Sequence, residues 1–595
     1  MRTADWLVLC SAVAFVVAWS IRKSYHHRRQ QQDNQQRDGA ASTAESGLRD
    51  FVQSGHDAKW YTIALSVMAT QASAVTFIST PGQAYTDGMR FVQFYFGLPL
   101  AMVILCIVIL PIYRRLNVFT AYEYLERRFD LKTRSLTAFL FLTQRSLAAG
   151  LTIYAPSIVL SYVLGWNVSV TIVAIGALVV LYTSIGGTKA VSWAQSYQMG
   201  IIFIGMATAF VVILASLPVS VGDALRVAGV GGKLNTLDFS FDLNNRYTVW
   251  SGLIGGLFLQ LSYFGTDQSQ VQRYLTGQSL AQSRLGLIFN GLMKIPMQFA
   301  ILLLGVMVFV FYQFTPPPMF FNTAEVRSIA GTPAELRYNT LERSYQQQAA
   351  ARAATVHKYV AARAANNATE TARLQTELNR SKQEMAVLRS EALTLLPTHG
   401  SAKPNDTNYV FLSFVLTHLP VGLVGLVIAA IVSAAMSSAS SEINALASTV
   451  VIDVYKRLVK RDTADTDGGN DKQYAQHDSH YVLATRIATV AWGVVIVLFA
   501  QYADRLGSLI EAVNIIGSLF YGTILGIFLT AFFLRRVGGT AVFIAALLAE
   551  AVVVWLFNTT QISFLWHNLI GCVLVVMMAY GLELVLRGVR TSRKA

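Results

Sequence analysis

The chain has 595 residues, of which 54% are hydrophobic and 13% charged. That is too apolar and too charge-poor for an ordinary soluble protein. A net charge of +14 would suit nucleic acid, but the basic residues cluster in short stretches between apolar runs, the positive-inside pattern of a membrane protein; nucleic acid is excluded as a partner and the lipid bilayer takes its place. Cys10, Cys106 and Cys572 all lie inside apolar runs, which implies neither a metal site nor a disulfide framework.

In chain order, the first span is predicted within residues 1–21, uncleaved and with its N-terminus outside, because the basic flank Arg22-Lys23 follows it. Residues 22–58 are polar and read as a cytoplasmic loop. Spans two to six fall within 59–217: about 60–80, 91–113, 135–164, 168–182 and 196–217, with an inner loop at Gly186-Gly187-Thr188-Lys189. An outer loop covers 218–247. Spans seven to eleven fall within 248–534, with a polar inner segment at Asp267–Arg284 and a ninth span, about Phe411–Met436, running on into a serine-rich stretch. This set is interrupted by an extracytoplasmic insertion at 321–409, whose Ala-, Arg-, Gln- and Glu-rich middle reads as one long helix or a hairpin turning at Asn366-Asn367. The polar stretch Asp462–Ser479 reads as a loop. Two further spans and a basic cytoplasmic tail occupy 535–595. The fold class is therefore all-α: a polytopic plasma-membrane protein of about 13 transmembrane helices, its C-terminus cytoplasmic. Two consecutive sets of five spans necessarily run in opposite directions, the arithmetic of an inverted repeat.

Polar groups at membrane depth mark the candidate site. Ala429–Tyr455 packs Ser433, Ser437, Ser438, Ser440 and Ser441 into about two and a half helical turns. Two uses compete: close helix packing by small residues, or a hard-cation site of hydroxyl and carbonyl oxygens. Span two carries Ser66–Thr76, small and polar; span seven carries Gly252, Gly255, Gly256, Gln260, Tyr263 and Gly265. Each opens one five-span set, and corresponding interruptions point to a transporter site. No Walker A loop, GxGxxG after a strand, HExxH or Gly-x-Ser-x-Gly elbow is present, so the reading is of a non-enzyme.

Three segments resemble the sodium:solute symporter family: Tyr182-Thr183-Ser184-Ile185-Gly186-Gly187-Thr188-Lys189-Ala190-Val191, Gly265–Tyr274, and Ala434–Ser441 followed by Asp453-Val454-Tyr455-Lys456. The resemblance implies a leucine-transporter-type fold and sodium as the coupling ion. It implies a sodium site made by Ala69 and Ala72 on the first core helix with Ala434, Ser437 and Ser438 on the eighth. It implies a solute pocket lined by Gln71, Thr76, Phe94, Tyr95, Gln260 and Gly517, with Tyr263 closing it from inside. One position departs: where members often carry Asp on the fifth core helix, this chain has Gln195, which implies one coupled sodium per cycle.

The implied activity is sodium-driven import of a small organic solute by alternating access. Residues 73–76 and 80–81 look closest to the iodide, monocarboxylate and vitamin branch, which suggests a monocarboxylate-like anion. Gln71, Thr76 and Gln260 would equally hydrogen-bond a sugar, and no pocket Arg or Lys stands out in the sequence. A membrane sensor on the same fold, with the insertion binding a partner, is the competing reading.

Overall fold

The computed structural model describes residues 1–16, 18, 19, 22, 58–116, 118–397, 404–459 and 471–592; the expected cytoplasmic loop up to residue 57 and the polar stretch 462–470 lie outside them. Helix follows helix throughout. The order is α1 (Thr3–Val16), α2 (Trp60–Gln71), α3 (Ala74–Asp87), a 3₁₀ segment (Gly88–Tyr95), α4 (98–116), α5 (Leu131–Leu164), α6 (Val168–Ala215) and α7 (Val221–Val230). Then come α8 (251–265), α9 (Gln268–Leu275), α10 (Leu280–Phe314), α11 (Pro333–Ala364), α12 (Ala368–Leu393), α13 (Thr407–His418), α14 (Leu423–Val459), α15 (Asp471–Ala500), α16 (Leu509–Phe533), α17 (Gly539–Thr559) and α18 (Phe564–Ser592). Among the described residues, nine helical stretches are long and apolar enough to cross a bilayer, and Thr3–Val16 and Val168–Ser184 are shorter apolar helices. This is a multi-pass membrane protein.

Both expected interruptions are real breaks. The first core helix stops at Gln71 and restarts at Ala74. The sixth stops at Gly265 and restarts at Gln268, where the Asp267 carboxylate caps the new helix by accepting from Ser269 N at 2.9 Å. Inside a bilayer the carbonyls freed by a break have no water to bond. At the second break three buried tyrosines take them: Tyr274 donates to Phe264 O at 3.0 Å, Tyr113 to Gly265 O at 2.7 Å and Tyr122 to Thr266 O at 3.0 Å.

Four expectations change. The helix opening at Ala74 runs through Pro81 to Asp87 instead of ending near 80. Residues 268–275, expected in a polar inner segment, form a wholly buried helix; its polar groups find partners inside, Gln268 accepting from Ala121 N at 3.1 Å and Arg273 donating to Ser192 Oγ at 3.1 Å. The ninth span is interrupted between His418 and Leu423, because Pro420 has no N–H to donate and Gly422 takes φ +87°. The Asp5 carboxylate of α1 closes that gap, accepting from Gly422 N at 2.6 Å and Gly425 N at 3.3 Å. Finally, the loop expected at 186–189 keeps helical backbone within α6. Straight, 48 residues would reach ~70 Å, more than twice a bilayer core, so α6 has to serve as two spans.

Of the two forms expected for the insertion, the hairpin is the one present, as Pro333–Ala364 and Ala368–Leu393. Asn366 takes φ +54° at its tip, and Asn367 caps α12 by accepting from Glu370 N at 3.1 Å. Its root is held by Arg389 donating to Asp406 at 2.5 Å, while Asp406 also accepts from Phe321 N at 2.7 Å.

Close backbone contact sets the helix spacing. A Cβ on Gly305 of α10 would lie 2.2 Å from Pro81 O, whereas one on Gly200 of α6 meets nothing within 4 Å. Gly305→Ala is therefore expected to destabilise the detergent-solubilised protein by about 1–3 kcal/mol through overpacking, and Gly200→Ala to leave it unchanged or slightly more stable. Thermal unfolding followed by size exclusion separates the two; equal midpoints would show that the α10–α3 contact relaxes freely.

Candidate functional site

The serine-rich stretch lies in α14, and every residue from Ile431 to Thr449 is buried. Its hydroxyls do not merely pack. Ser437 Oγ and Ser438 Oγ both donate to Ala69 O, at 3.0 and 3.2 Å. That carbonyl lies in the last turn of α2, just before the break, and Ala72 sits in the break itself. The structure thus brings Ala69 and the serine pair into contact across 368 residues of sequence, and it buries Ala72 and Ala434 completely. These donors are oxygens without formal charge, chemistry suited to an alkali cation and not to a transition metal. Among the described residues, no group of three or more His, Cys, Asp or Glu could hold a metal ion.

Gln195 stands next to this contact. Its Oε1 accepts from Ser66 Oγ at 2.5 Å. Its Nε2 lies 2.6 Å from Ser441 Oγ, 3.1 Å from Thr70 Oγ1 and 3.2 Å from Ser437 O. One uncharged amide thus ties α2, α6 and α14 together.

The pocket positions gather around the two breaks. Glycines let the 3₁₀ segment rest directly on α8: a Cβ on Gly252 would lie 1.9 Å from Gln93 O, one on Gly256 2.8 Å from Phe94 O, and one on Gly97 2.2 Å from Leu257 N. Phe94 is fixed by stacking on Phe91 at 5.4 Å, and Tyr95 meets it edge-on at 4.9 Å. Gln260 follows Gly256 one turn along α8 and is buried. The Tyr263 ring lies 6.0 Å from that of Tyr521, and its hydroxyl accepts from Gln270 Nε2 at 2.6 Å. Gly517 leaves room for the Tyr521 ring, which a Cβ would approach to 2.8 Å. Thr76, in the first turn of α3, is buried.

Two charged groups in this region escaped the sequence reading. Lys294 is fully buried in the middle of α10, its Nζ without a hydrogen-bond partner and 5.6 Å from the centre of the Tyr95 ring. Gly286 packs on Ile63 and Gly305 on Pro81, so the intervening middle of α10 runs beside the Gln71–Ala74 break. Asn290 and Gln298 lie one turn either side of Lys294, both fully buried, with no partner for their amide groups. Gln71 Oε1 and both amide atoms of Gln260 are likewise unpartnered and buried. A signal was available: Asn290, Lys294 and Gln298 recur every four residues in an apolar span, which aligns them on one helix face, and an intramembrane charge marks a functional site.

The second missed group is Arg145 of α5. It pairs with Asp267, with Glu442 at 3.1 Å and with Tyr521 Oη at 2.6 Å, and its guanidinium lies 5.3 Å from the Tyr263 ring centre. Tyr521 donates in turn to Asp267 at 3.1 Å. The cluster joins α5, α14, α16 and the second break behind Tyr263.

Comparison with known proteins gives the family and the fold. The chain matches the model of the sodium:solute symporter family over residues 51–331 and 385–548, and it belongs to that family. The part between, 332–384, lies within the hairpin insertion. Human sodium-coupled monocarboxylate transporter 1 is 36% identical over 242 residues, covering 41% of this chain and 40% of that protein. The human sodium/iodide cotransporter is 32% identical over 279 residues, 46% and 42% of the two chains. The rabbit (Oryctolagus cuniculus) sodium-dependent multivitamin transporter is 32% identical over 259 residues, 43% and 40%. The chain thus spans about two fifths of the length of the relatives it matches. A solved Na⁺-coupled sialic acid symporter, substrate-bound and outward-open, superposes with a TM-score of 0.70 over 98% of both chains at 20% identity; the two share the fold.

The Arg145 cluster supports a stability prediction. Arg145→Met leaves two buried carboxylates unpaired and is expected to destabilise the protein by about 3–5 kcal/mol, whereas Tyr521→Phe, which removes one hydroxyl, costs about 1–3 kcal/mol. Thermal denaturation of the purified variants checks the ranking; an Arg145→Met protein as stable as the parent would show that the carboxylates are not held as a charged network.

Proposed function

We propose that the chain is a sodium-coupled secondary transporter that imports a small organic anion by alternating access. The observation that carries this reading is the contact of Ser437 and Ser438 with Ala69 O at a helix break. A hydroxyl that donates to a carbonyl can rotate and present its lone pair to a cation held between the same atoms. Sodium bound by Ala69, Ala72, Ala434, Ser437 and Ser438 would tie the break of α2 to α14 and favour one conformation of the pocket beside it. Each entering sodium contributes ~2.3 kcal/mol per 100 mV in addition to its concentration gradient. The insertion would face outside, with the N-terminus, and the C-terminus would be cytoplasmic. This is consistent with the placement of Asp5 at the start of α14 and with the basic residues after α18.

Lys294 supports an anionic solute. Its amine lies beside the pocket with no acid against it, whereas Arg145 is already neutralised by two carboxylates. The amides of Gln71, Gln260, Asn290 and Gln298 would complete the solute's hydrogen bonds. A monocarboxylate-like anion fits this set better than a neutral sugar, because a charge-assisted bond to a desolvated amine is strong. Gln195 supports one sodium per cycle, since its amide takes the oxygens a second ion would need.

Proteoliposome uptake tests the reading. The double variant Ser437→Ala, Ser438→Ala is expected to fold and lose sodium-dependent uptake; unchanged sodium dependence removes the site. Lys294→Met is expected to raise KM for monocarboxylates by about 10–100-fold, the equivalent of one charge-assisted bond, without shifting the sodium dependence. If a panel shows sugars carried and carboxylates refused, the anion reading fails while the sodium site stands. Reversal potentials should give one sodium per solute in the parent chain; a ratio of two would count against the role given to Gln195.

A further inference from the structure

The segment between α7 and α8 carries an apolar face that the transport reading does not use. Leu237, Phe239, Phe241 and Leu243 alternate with Asp238, Ser240 and Asp242. The apolar members are 53%, 68%, 69% and 42% exposed. Single exposed hydrophobics are ordinary on a protein surface; four in seven residues, two of them phenylalanine, make a patch that needs a partner.

The segment is held firmly. Asp238 N donates to Gln93 Oε1 at 3.0 Å, and Asp238 O accepts from Val249 N at 2.8 Å. The Asp238 carboxylate accepts from Ser240 N at 3.0 Å, Ser240 Oγ at 2.7 Å and Asn245 Nδ2 at 3.1 Å, and faces Arg90 at 3.6 Å. Leu243 O accepts from Ser563 N at 2.8 Å, and Phe239 O from Trp250 Nε1 at 3.1 Å. The Phe241 ring lies 6.4 Å from that of Trp250 and 6.1 Å from that of Trp566. The acidic alternates are thus used for internal bonds, while the apolar ones stay outside.

These contacts tie the segment to the heads of two helices, α8 and α18. Trp250 immediately precedes the first turn of α8, and Ser563 the first turn of α18, both at the end of the bundle that bears the insertion. A half-exposed Trp at the head of a span is where the headgroup boundary lies, and the patch continues from it.

We propose that residues 237–243 form an interfacial strap, seated with Leu237, Phe239, Phe241 and Leu243 in the bilayer at the acyl–headgroup boundary of the insertion side. The boundary is hydrated enough to satisfy the backbone groups of residues 240–242 while taking up the aromatic rings. The strap also reaches the pocket: Gln93, which receives Asp238 N, precedes Phe94 and Tyr95, and Gln93 Nε2 donates to Tyr247 O at 2.9 Å. Tyr247 and Arg246 in turn reach Glu511 of α16 at 3.4 and 2.6 Å. Seating in the bilayer therefore braces the rim formed by the 3₁₀ segment and α16.

Spin-label accessibility tests this on the full chain in phosphatidylcholine liposomes. Cys10→Ser leaves Cys106 and Cys572, both buried, and Phe239→Cys or Phe241→Cys then carries the label; either variant gives the result if the other misfolds. Leu336→Cys, 77% exposed on the hairpin, is the solvent control. Labels at 239 and 241 are expected to collide more with oxygen than with a water-soluble nickel chelate, and the label at 336 the reverse. A chelate-dominated signal at 239 and 241 overturns the proposal in favour of a solvated loop. Protection from both reagents, with dipolar broadening between labels, overturns it in favour of a second copy of this chain on the patch. None of these readouts depends on which solute the protein carries.

Discussion

The site depends on how two interrupted helices satisfy their freed carbonyls in a medium without water. The two solutions differ in kind. At the second break, Phe264, Gly265 and Thr266 each receive a tyrosine hydroxyl at the end of a rigid buried ring. A cation could enter there only by displacing a phenol packed into the core. At the first break, Ala69 O receives two serine hydroxyls, small groups that turn about a single bond. In the proposed reading, exchanging a donated hydrogen bond for a coordinated cation would then be a matter of rotation. The same bilayer constraint thus makes one break structural and leaves the other open to chemistry.

What positions the first break is backbone contact on both sides. Gly286 and Gly305 let α10 run close along α2 and α3, and Gly252, Gly256 and Gly97 seat the 3₁₀ segment on α8. These contacts lack a compliant side chain on the glycine side, so the pocket residues they carry, Tyr95, Gln260 and Lys294, are held by the separation of helix axes. Asp5 adds a third fixed point, because α1 caps the helix that carries the serines. The insertion stands apart from this machinery. It has its own apolar core, with Tyr338, Leu341 and Tyr345 packed against Met385 and Leu396, and it joins the bundle through Val356, Tyr359, Leu374 and Leu378, which pack into the main core, and through Arg352, which donates to Gln313 Oε1 at 2.8 Å.

The sequence made the serine helix, both breaks and the hairpin legible, because each leaves a local signature: hydroxyls where hydrocarbon is expected, glycine and polar residues opening a span, Asn-Asn inside a helical pattern. It misjudged 268–275, since a run of glutamines and an arginine reads as solvated when its partners Ala121, Phe119 and Ser192 lie about 80 to 150 residues away. It passed through Pro420 because hydropathy averages over a single missing donor. Lys294 was hidden by the apolar run around it, although its spacing from Asn290 and Gln298 was in plain view. Arg145 was hidden more deeply, because nothing local says that Asp267 and Glu442 will meet it.

The distribution of buried charge bears on what the pocket takes. Arg145 with Asp267 and Glu442 is a self-contained group, formally one negative charge in excess, and its members bond one another and Tyr521. Lys294 is bonded to none of them and lies 5.6 Å from the centre of the Tyr95 ring, whose quadrupole would partly compensate a charged amine. A cationic solute would meet Lys294 unfavourably and would compete with Arg145 for carboxylates already engaged. A neutral solute would leave the amine without a counter-charge in a low-dielectric site. In the proposed reading, an anion would satisfy Lys294 without disturbing the Arg145 group. A sodium ion at Ala69, near the same break, would then place opposite charge beside that anion, so the electrostatics of the pocket would couple the two proposed ligands before any conformational change is considered.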